Sequence, residues 1–261
     1  MTYQHLVLET SGPVVSVTLN RPEQHNAFDE VLIAELTDAF VHLGEEPSVR
    51  LIVLAGAGKS FCAGADLAYM GKMAAYTYEE NLADARAIQR MFATIAECPK
   101  VTIARVHGAA IGGGAGLVAV CDLAIAAPEA QFALSEVRLG LVPAVIGPYV
   151  VEKIGMGAAR ALFVTGERFG AEEAMRLGLV QQVVSTEELD AAIRQKAELI
   201  SRAGPQAIAA AKRLLQEIAG KTPSEAADIT VECIATLRAG PEGQEGIRAF
   251  LEKRKPRFAV E

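Results

Sequence analysis

The chain has 261 residues, 51% of them apolar, and a formal net charge of −7. That length and composition suit one large α/β domain, or a domain with an appendage, and no apolar stretch approaches the roughly 18 to 20 residues that cross a bilayer. The acidic balance argues against a general nucleic-acid binder, because polyanion backbones are held by basic patches and counterion release. Residues 1–9 lack a basic region followed by an apolar run, so a cytoplasmic protein with no membrane partner is expected.

In chain order, the alternating or β-branched runs Val14–Leu19, 51–54, Val101–Val106 and Leu123–Ala126 read as strands, and the amphipathic stretches 29–43 and 79–96 read as helices. Strands alternating with helices predict a layered α/β architecture with crossover connections. After about residue 185 the pattern turns helical, over 187–202, 205–219, 223–237 and 241–253. Pro205, Pro223 and Pro241 stand at or near the starts, where a missing N–H costs little. These helices are rich in Ala, Ile and Leu, which they must bury against the body or against another subunit.

Chemistry concentrates in three places. The turn Phe61-Cys62-Ala63-Gly64-Ala65-Asp66-Leu67 and the turn Gly108-Ala109-Ala110-Ile111-Gly112-Gly113-Gly114 are followed by an isolated acid, Glu136. Two N–H groups presented by small residues stabilise an enolate oxygen, and a nearby carboxylate moves the proton that makes or quenches it. The small, apolar residues after Gly114 can start a buried helix, whose N-terminus aims free N–H groups at what precedes it. Glu136 follows Phe132-Ala133-Leu134, neighbours able to desolvate it, although the residues alone favour a surface or helix-capping glutamate after Ser135.

Other motifs fail on spacing. Gly56-Ala57-Gly58-Lys59-Ser60 has Val53 where a phosphate-binding loop needs glycine, and Gly114-Ala115-Gly116 lies too far beyond Val106 for a dinucleotide fingerprint. Cys62, Cys98, Cys121 and Cys233 form no C-x-x-C pair, so buried reduced thiols are expected. His25, His42 and His107 show no ligand spacing, and no metal is expected.

The stretch Leu19-Asn20-Arg21-Pro22-Glu23-Gln24-His25-Asn26-Ala27-Phe28, the Ala63-Gly64-Ala65-Asp66 turn, the glycine triplet, Cys121-Asp122 and the tail Phe250-Leu251-Glu252-Lys253-Arg254-Lys255 resemble, in order and over nearly the whole chain, the crotonase family of enoyl-CoA hydratases and isomerases. Ser135-Glu136-Val137-Arg138-Leu139-Gly140-Leu141-Val142-Pro143-Ala144-Val145-Ile146 is most similar to bacterial methylglutaconyl-CoA hydratases and their terpenoid-degrading relatives. The resemblance implies a spiral of repeated ββα units over residues 1–200 and a C-terminal helical oligomerisation region over 201–261, assembling as a homotrimer or a hexamer of paired trimers. It implies an acyl-CoA substrate, with coenzyme A carried as part of that substrate and no separate cofactor. It places the oxyanion donors at Ala65 and Gly113 and the acid/base at Glu136. Ala63, Gly64, Ala65, Asp66 and Leu67 fall on the segment that holds adenine and pantetheine, and Phe250 and Lys253 on residues that reach coenzyme A from an adjacent subunit. Asp66 is equally an N-cap for a helix starting near Leu67. Arg21, Lys59 and the basic tail are candidates for the phosphates; a solvated helix end is the competing reading of the tail.

One position departs from the pattern. Many hydratases of the family carry a second glutamate where this chain has Gly116. A single carboxyl either serves both proton transfers of water addition or serves an isomerase that shifts the double bond from C3 to C2. The expected activity is hydration of a branched or carboxylated enoyl-CoA such as 3-methylglutaconyl-CoA. The isomerase is the runner-up, and a non-catalytic or RNA-binding relative on the same fold the lesser alternative. A distal substrate carboxylate would call for a cation, and Arg138, Arg86 and Lys72 are open choices.

Overall fold

The computed structural model describes residues 2–260. The hairpin β1 (Leu6–Ser11) and β2 (Val14–Leu19) leads through α1 (Glu30–Glu45) to β3 (Leu51–Gly56), then α2 (Leu67–Met73) and α3 (Tyr78–Ala96). Next come β4 (Val101–Val106), β5 (Ala109–Ile111), α4 (Gly113–Val120), β6 (Leu123–Ala126), β7 (Gln131–Ala133) and α5 (Gly147–Thr165). The remainder is β8 (Arg168–Gly170), α6 (Ala171–Leu177), β9 (Gln182–Val183), α7 (Leu189–Ser201), α8 (Pro205–Ile218), α9 (Ala227–Ala239) and α10 (Pro241–Leu251).

A six-stranded sheet runs β1-β2-β3-β4-β6-β9, parallel apart from the first hairpin, and a second sheet runs β5-β7-β8. The chain visits the large sheet, then the small one, then a helix: β4-β5-α4 is followed by β6-β7-α5. The earlier turns of the spiral do the same with single-residue bridges, Cys62 to Ala110 and Phe28 to Ala65. This is the spiral of ββα units that the resemblance implies.

Strand periodicity explains the layers. Along β3, Ile52 and Leu54 enter one apolar cluster with α1, α3, α4 and α5, while Leu51 and Val53 enter another with Leu189, Ala192 and Ile193 of α7. Helices cover both faces, which is why β3 reads as an unbroken apolar run. Helix α5 is interrupted at Gly155, whose φ of 75° breaks the helical path.

The last three helices pack on one another and are tied to the body by polar contacts. Lys212 on α8 donates to Asp122 at 2.8 Å and to the Lys100 carbonyl at 2.9 Å, and the Arg50 guanidinium donates to the Phe258 carbonyl. They leave Leu215, Val231, Phe250 and Leu251 exposed. Among the described residues no helix is long and apolar enough to cross a membrane.

The turn after β2 is fixed by one buried amide. His25 and Asn26 take left-handed backbone, a conformation asparagine tolerates. The Asn26 side chain is fully buried; it donates to the Ala57 and Ser60 carbonyls, each at 2.8 Å, and accepts from the Arg21 N–H at 2.9 Å. Replacing it with alanine strands those three groups. Asn26→Ala is expected to lower stability by about 2–4 kcal/mol, read as a lower midpoint of urea unfolding with an unchanged slope.

Candidate active site

Arg21 joins the starts of two helices. Its guanidinium contacts Asp66 at 3.0 Å and Asp29 at 3.1 Å and also donates to the Ala27 carbonyl. Asp29 caps α1 by accepting from the Leu32 N–H at 2.8 Å, and Asp66 caps α2 by accepting from the Ala68 N–H at 2.8 Å. Burial works to raise the Asp66 pKa, but the Tyr69 and Ala68 amides together with Arg21 outweigh it and hold the carboxyl below its ordinary range. Arg21, a candidate for a phosphate in the sequence, has its charge matched here by two capping carboxylates, and its side chain is only 12% exposed.

The turn carrying Ala63, Gly64 and Ala65 is stitched to both neighbours. Ala63 donates to the His25 carbonyl at 3.0 Å, and Cys62 exchanges bonds with Ala109 and Ile111, both at 2.9 Å. Phe28 donates to the Gly64 carbonyl at 2.6 Å and accepts from the Asp66 N–H at 2.8 Å. In such a parallel bridge the residue between the two partners, Ala65, turns its own N–H to the opposite side. Gly64 has φ of 90°, and a Cβ there would lie 3.0 Å from the Ile111 carbonyl and 3.9 Å from the Gly113 nitrogen. The two glycine turns are thus in contact.

Helix α4 begins at Gly113, beside that turn. The Gly112 N–H is taken by the Ala133 carbonyl at 2.8 Å. Among the described residues, no hydrogen bond takes the N–H of Gly113 or that of Ala65. The helix has close neighbours all round: a Cβ would meet Phe28 Cε2 at 2.4 Å from Gly113, the Cys62 carbonyl at 2.1 Å from Gly114, and Ile146 Cγ2 at 2.3 Å from Gly116. Position 116 is therefore closed to any side chain while Ile146 and Phe92 stay where they are.

Glu136 opens a short 3-10 turn, Glu136–Leu139, and is half-buried rather than a surface cap. Its Oε1 lies 3.2 Å from where a Cβ on Gly112 would stand, which puts the carboxylate next to the start of α4. Its Oε2 is buried and accepts no hydrogen bond from any described residue. Burial pushes its pKa above the ordinary carboxylate value, with its own backbone amide offsetting part of the rise. A buried carboxylate oxygen without a partner is costly, and such groups gather where protons are moved.

The other expected residues lie apart. Leu67, at the start of α2, is 86% exposed, and Lys59 is exposed beside the Gly58 turn. Phe250 is 82% exposed on α10. Lys253 lines a cleft of about 1000 Å³ with Pro13, Val14, Arg194, Arg202 and Val260, and none of Ala65, Gly113 or Glu136 lines it. Of the cations considered for a distal carboxylate, Lys72 is paired with Glu30, whereas Arg86 and Arg138 have no ion pair among the described residues. Sequence reasoning missed Ile146, which closes position 116, and the double contact of Phe28; neither carries a motif of its own.

The raised pKa of Glu136 has a linkage consequence. Folding favours its protonated form, so the stabilisation is fully present below the ordinary carboxylate pKa and is lost as pH rises through the folded value. Glu136→Gln has no such loss. Melting curves from pH 4 to 8 are expected to show the variant gaining on the wild type as pH rises; a constant difference would place the carboxyl in water.

Comparison with known proteins identifies the family. A sequence profile of the enoyl-CoA hydratase/isomerase family matches residues 9–261. The crotonyl-CoA hydratase of Syntrophomonas wolfei is 35% identical, covering 99% of each chain. The (E)-benzylidenesuccinyl-CoA hydratase of Thauera aromatica is also 35% identical, covering 97% of this chain and 98% of its own. The crystal structure of an enoyl-CoA hydratase from Shewanella pealeana superposes with a TM-score of 0.94 at 41% identity, over 97% of this chain and 96% of that one. The chain belongs to the enoyl-CoA hydratase/isomerase family, the crotonases.

Proposed function

We propose that the protein is an enoyl-CoA hydratase in which the Ala65 and Gly113 amides hold the thioester oxygen and Glu136 carries the proton. The observation that carries this reading is Glu136, half-buried against Gly112 with a buried Oε2 that accepts no hydrogen bond from any described residue, beside two main-chain amides that no described group uses. Ionised Glu136 takes a proton from water as the water oxygen bonds to C3. The electrons of the C2–C3 double bond pass to the thioester oxygen, where the two amides stabilise the enolate. The enolate then collapses and Glu136 returns the proton to C2, so the elements of water are added across one face. A carboxyl whose pKa is raised toward operating pH suits a group that must be base and then acid.

Closure of position 116 leaves that sequence to one carboxyl, and the same fact favours an isomerase as the second reading, since a 3-enoyl thioester needs a single base to lift a proton and return it elsewhere. For the acyl group, a branched or carboxylated chain such as 3-methylglutaconyl is the preferred reading. The run Ser135 to Ile146 and the benzylidenesuccinyl-CoA hydratase among the relatives support it. Arg86 and Arg138 are the cations free to meet a second carboxylate. Ala63, Gly64, Asp66, Leu67 and Lys59 are read as the coenzyme A side of the site. The exposed Leu67 and the exposed Leu139, Leu141 and Val142 that follow Glu136 offer apolar surface to substrate. Coenzyme A enters as part of the substrate, and the proposal needs no separate cofactor.

Residues 201–261 are read as an oligomerisation region, with the exposed apolar side chains of α8–α10 as the support. In a trimer or a pair of trimers, Phe250 and Lys253 would then serve a neighbouring subunit's coenzyme A. Sedimentation is expected to give three or six chains per particle, and a monomer with full activity would remove this part of the reading. Incubation with a panel of enoyl-CoA esters, including crotonyl-CoA, 3-methylglutaconyl-CoA and a 3-enoyl-CoA, followed by mass analysis, is expected to show uptake of water by a 2-enoyl ester. Rearrangement of the 3-enoyl ester without any hydration would favour the isomerase. Glu136→Gln is expected to lower kcat/KM by about a hundredfold to ten-thousandfold.

A further inference from the structure

Phe28 touches both halves of the oxyanion hole. Its N–H and carbonyl grip Gly64 and Asp66, at 2.6 and 2.8 Å, and so set the direction of the Ala65 N–H between them. Its ring lies against the other half: a Cβ on Gly113 would stand 2.4 Å from Cε2 and 3.0 Å from Cδ2, which leaves no space between the ring edge and the start of α4. The ring is itself held from behind by Phe92, at right angles with centroids 6.2 Å apart. Upstream, Asn26 locks the turn and Arg21 holds the Ala27 carbonyl, so the residue is not free to follow a displaced ring.

We propose that Phe28 is a positioning residue for the hole, fixing the Ala65 amide through its backbone and the Gly113 amide through its ring. The inference rests on the reading of those two amides as the thioester-oxygen donors. Oxyanion donors act only when aimed at the place the charged oxygen will occupy, and removing one typically costs a hundredfold to a thousandfold in kcat. A ring pressed on Gly113 holds the first residue of α4, and so its N–H, in place and protects that aim. A ring that only fills the core would matter to stability alone.

The test uses Phe28→Leu and the unbranched, more flexible Phe28→Met, with cinnamoyl-CoA as an optical probe and crotonyl-CoA as substrate. Polarisation of the bound thioester carbonyl moves the cinnamoyl absorption to longer wavelength, a readout that loss of packing does not by itself change. In both variants a smaller red shift is expected, with kcat on crotonyl-CoA lowered about tenfold and KM within about twofold, the pattern of an interaction made in the transition state. Lower melting temperatures with a wild-type red shift and wild-type kcat would make Phe28 a core filler and overturn the proposal. If wild-type protein binds the probe without any red shift, the reading of Ala65 and Gly113 as donors fails, and this inference fails with it. A wild-type shift that both variants retain sinks only the role of Phe28.

Discussion

The close approach of main chain to main chain at the start of α4 is what the rest of the site depends on. Gly114 lies where a Cβ would be 2.1 Å from the Cys62 carbonyl, and Gly108 where one would be 2.0 Å from the Lys59 carbonyl. Only residues without side chains let the second glycine turn nest against the first. The nesting brings an unsatisfied helix N-terminus to a turn whose own free amide points away from its bridge partner, so the partial positive charge of main-chain amides gathers there. Glu136 stands beside it, its Oε1 3.2 Å from where a Cβ on Gly112 would be and its Oε2 buried.

The surrounding polar groups hold this geometry rather than take part in it. Arg21 binds two capping carboxylates, so α1 and α2 start side by side, and Asn26 fastens the turn before α1 to the loop after β3. At the far end of α4, Asp122 accepts from the Thr102 N–H at 2.7 Å and from Lys212 at 2.8 Å. The short helix is therefore anchored to β4 and α8 at one end and packed against Phe28 and Cys62 at the other.

Much of this was legible before any coordinates. The strands Val14–Leu19, Val101–Val106 and Leu123–Ala126 are bounded correctly because an alternating or β-branched apolar run shows its period locally. Asp66 was readable as an N-cap from its place before an apolar helix, and the structure gives it that bond. The three-residue strands β5, β7 and β8 were too short to show a period, and α5 was hidden by Gly155 and Gly157 in its middle. Helix α9 starts at Ala227, later than Pro223 suggested, because Thr222 and Glu225 close a local turn first. The ion pairs of Arg21 are equally out of reach of the sequence. A cation in a motif carries no mark of whether its partner is a ligand or a capping aspartate distant in sequence.

The packing at Gly116 restricts how this chemistry can change. With Ile146 and Phe92 in these places a glutamate at 116 would put its Cβ 2.3 Å from Ile146 Cγ2 and 3.1 Å from Phe92 Cε1, so a second acid there needs those side chains to move with it. Ile146 ends the loop that begins just after the Glu136 turn, so the two positions are sterically linked. Steric history, as much as reactivity, thus constrains which relatives of this enzyme are neighbours in sequence space.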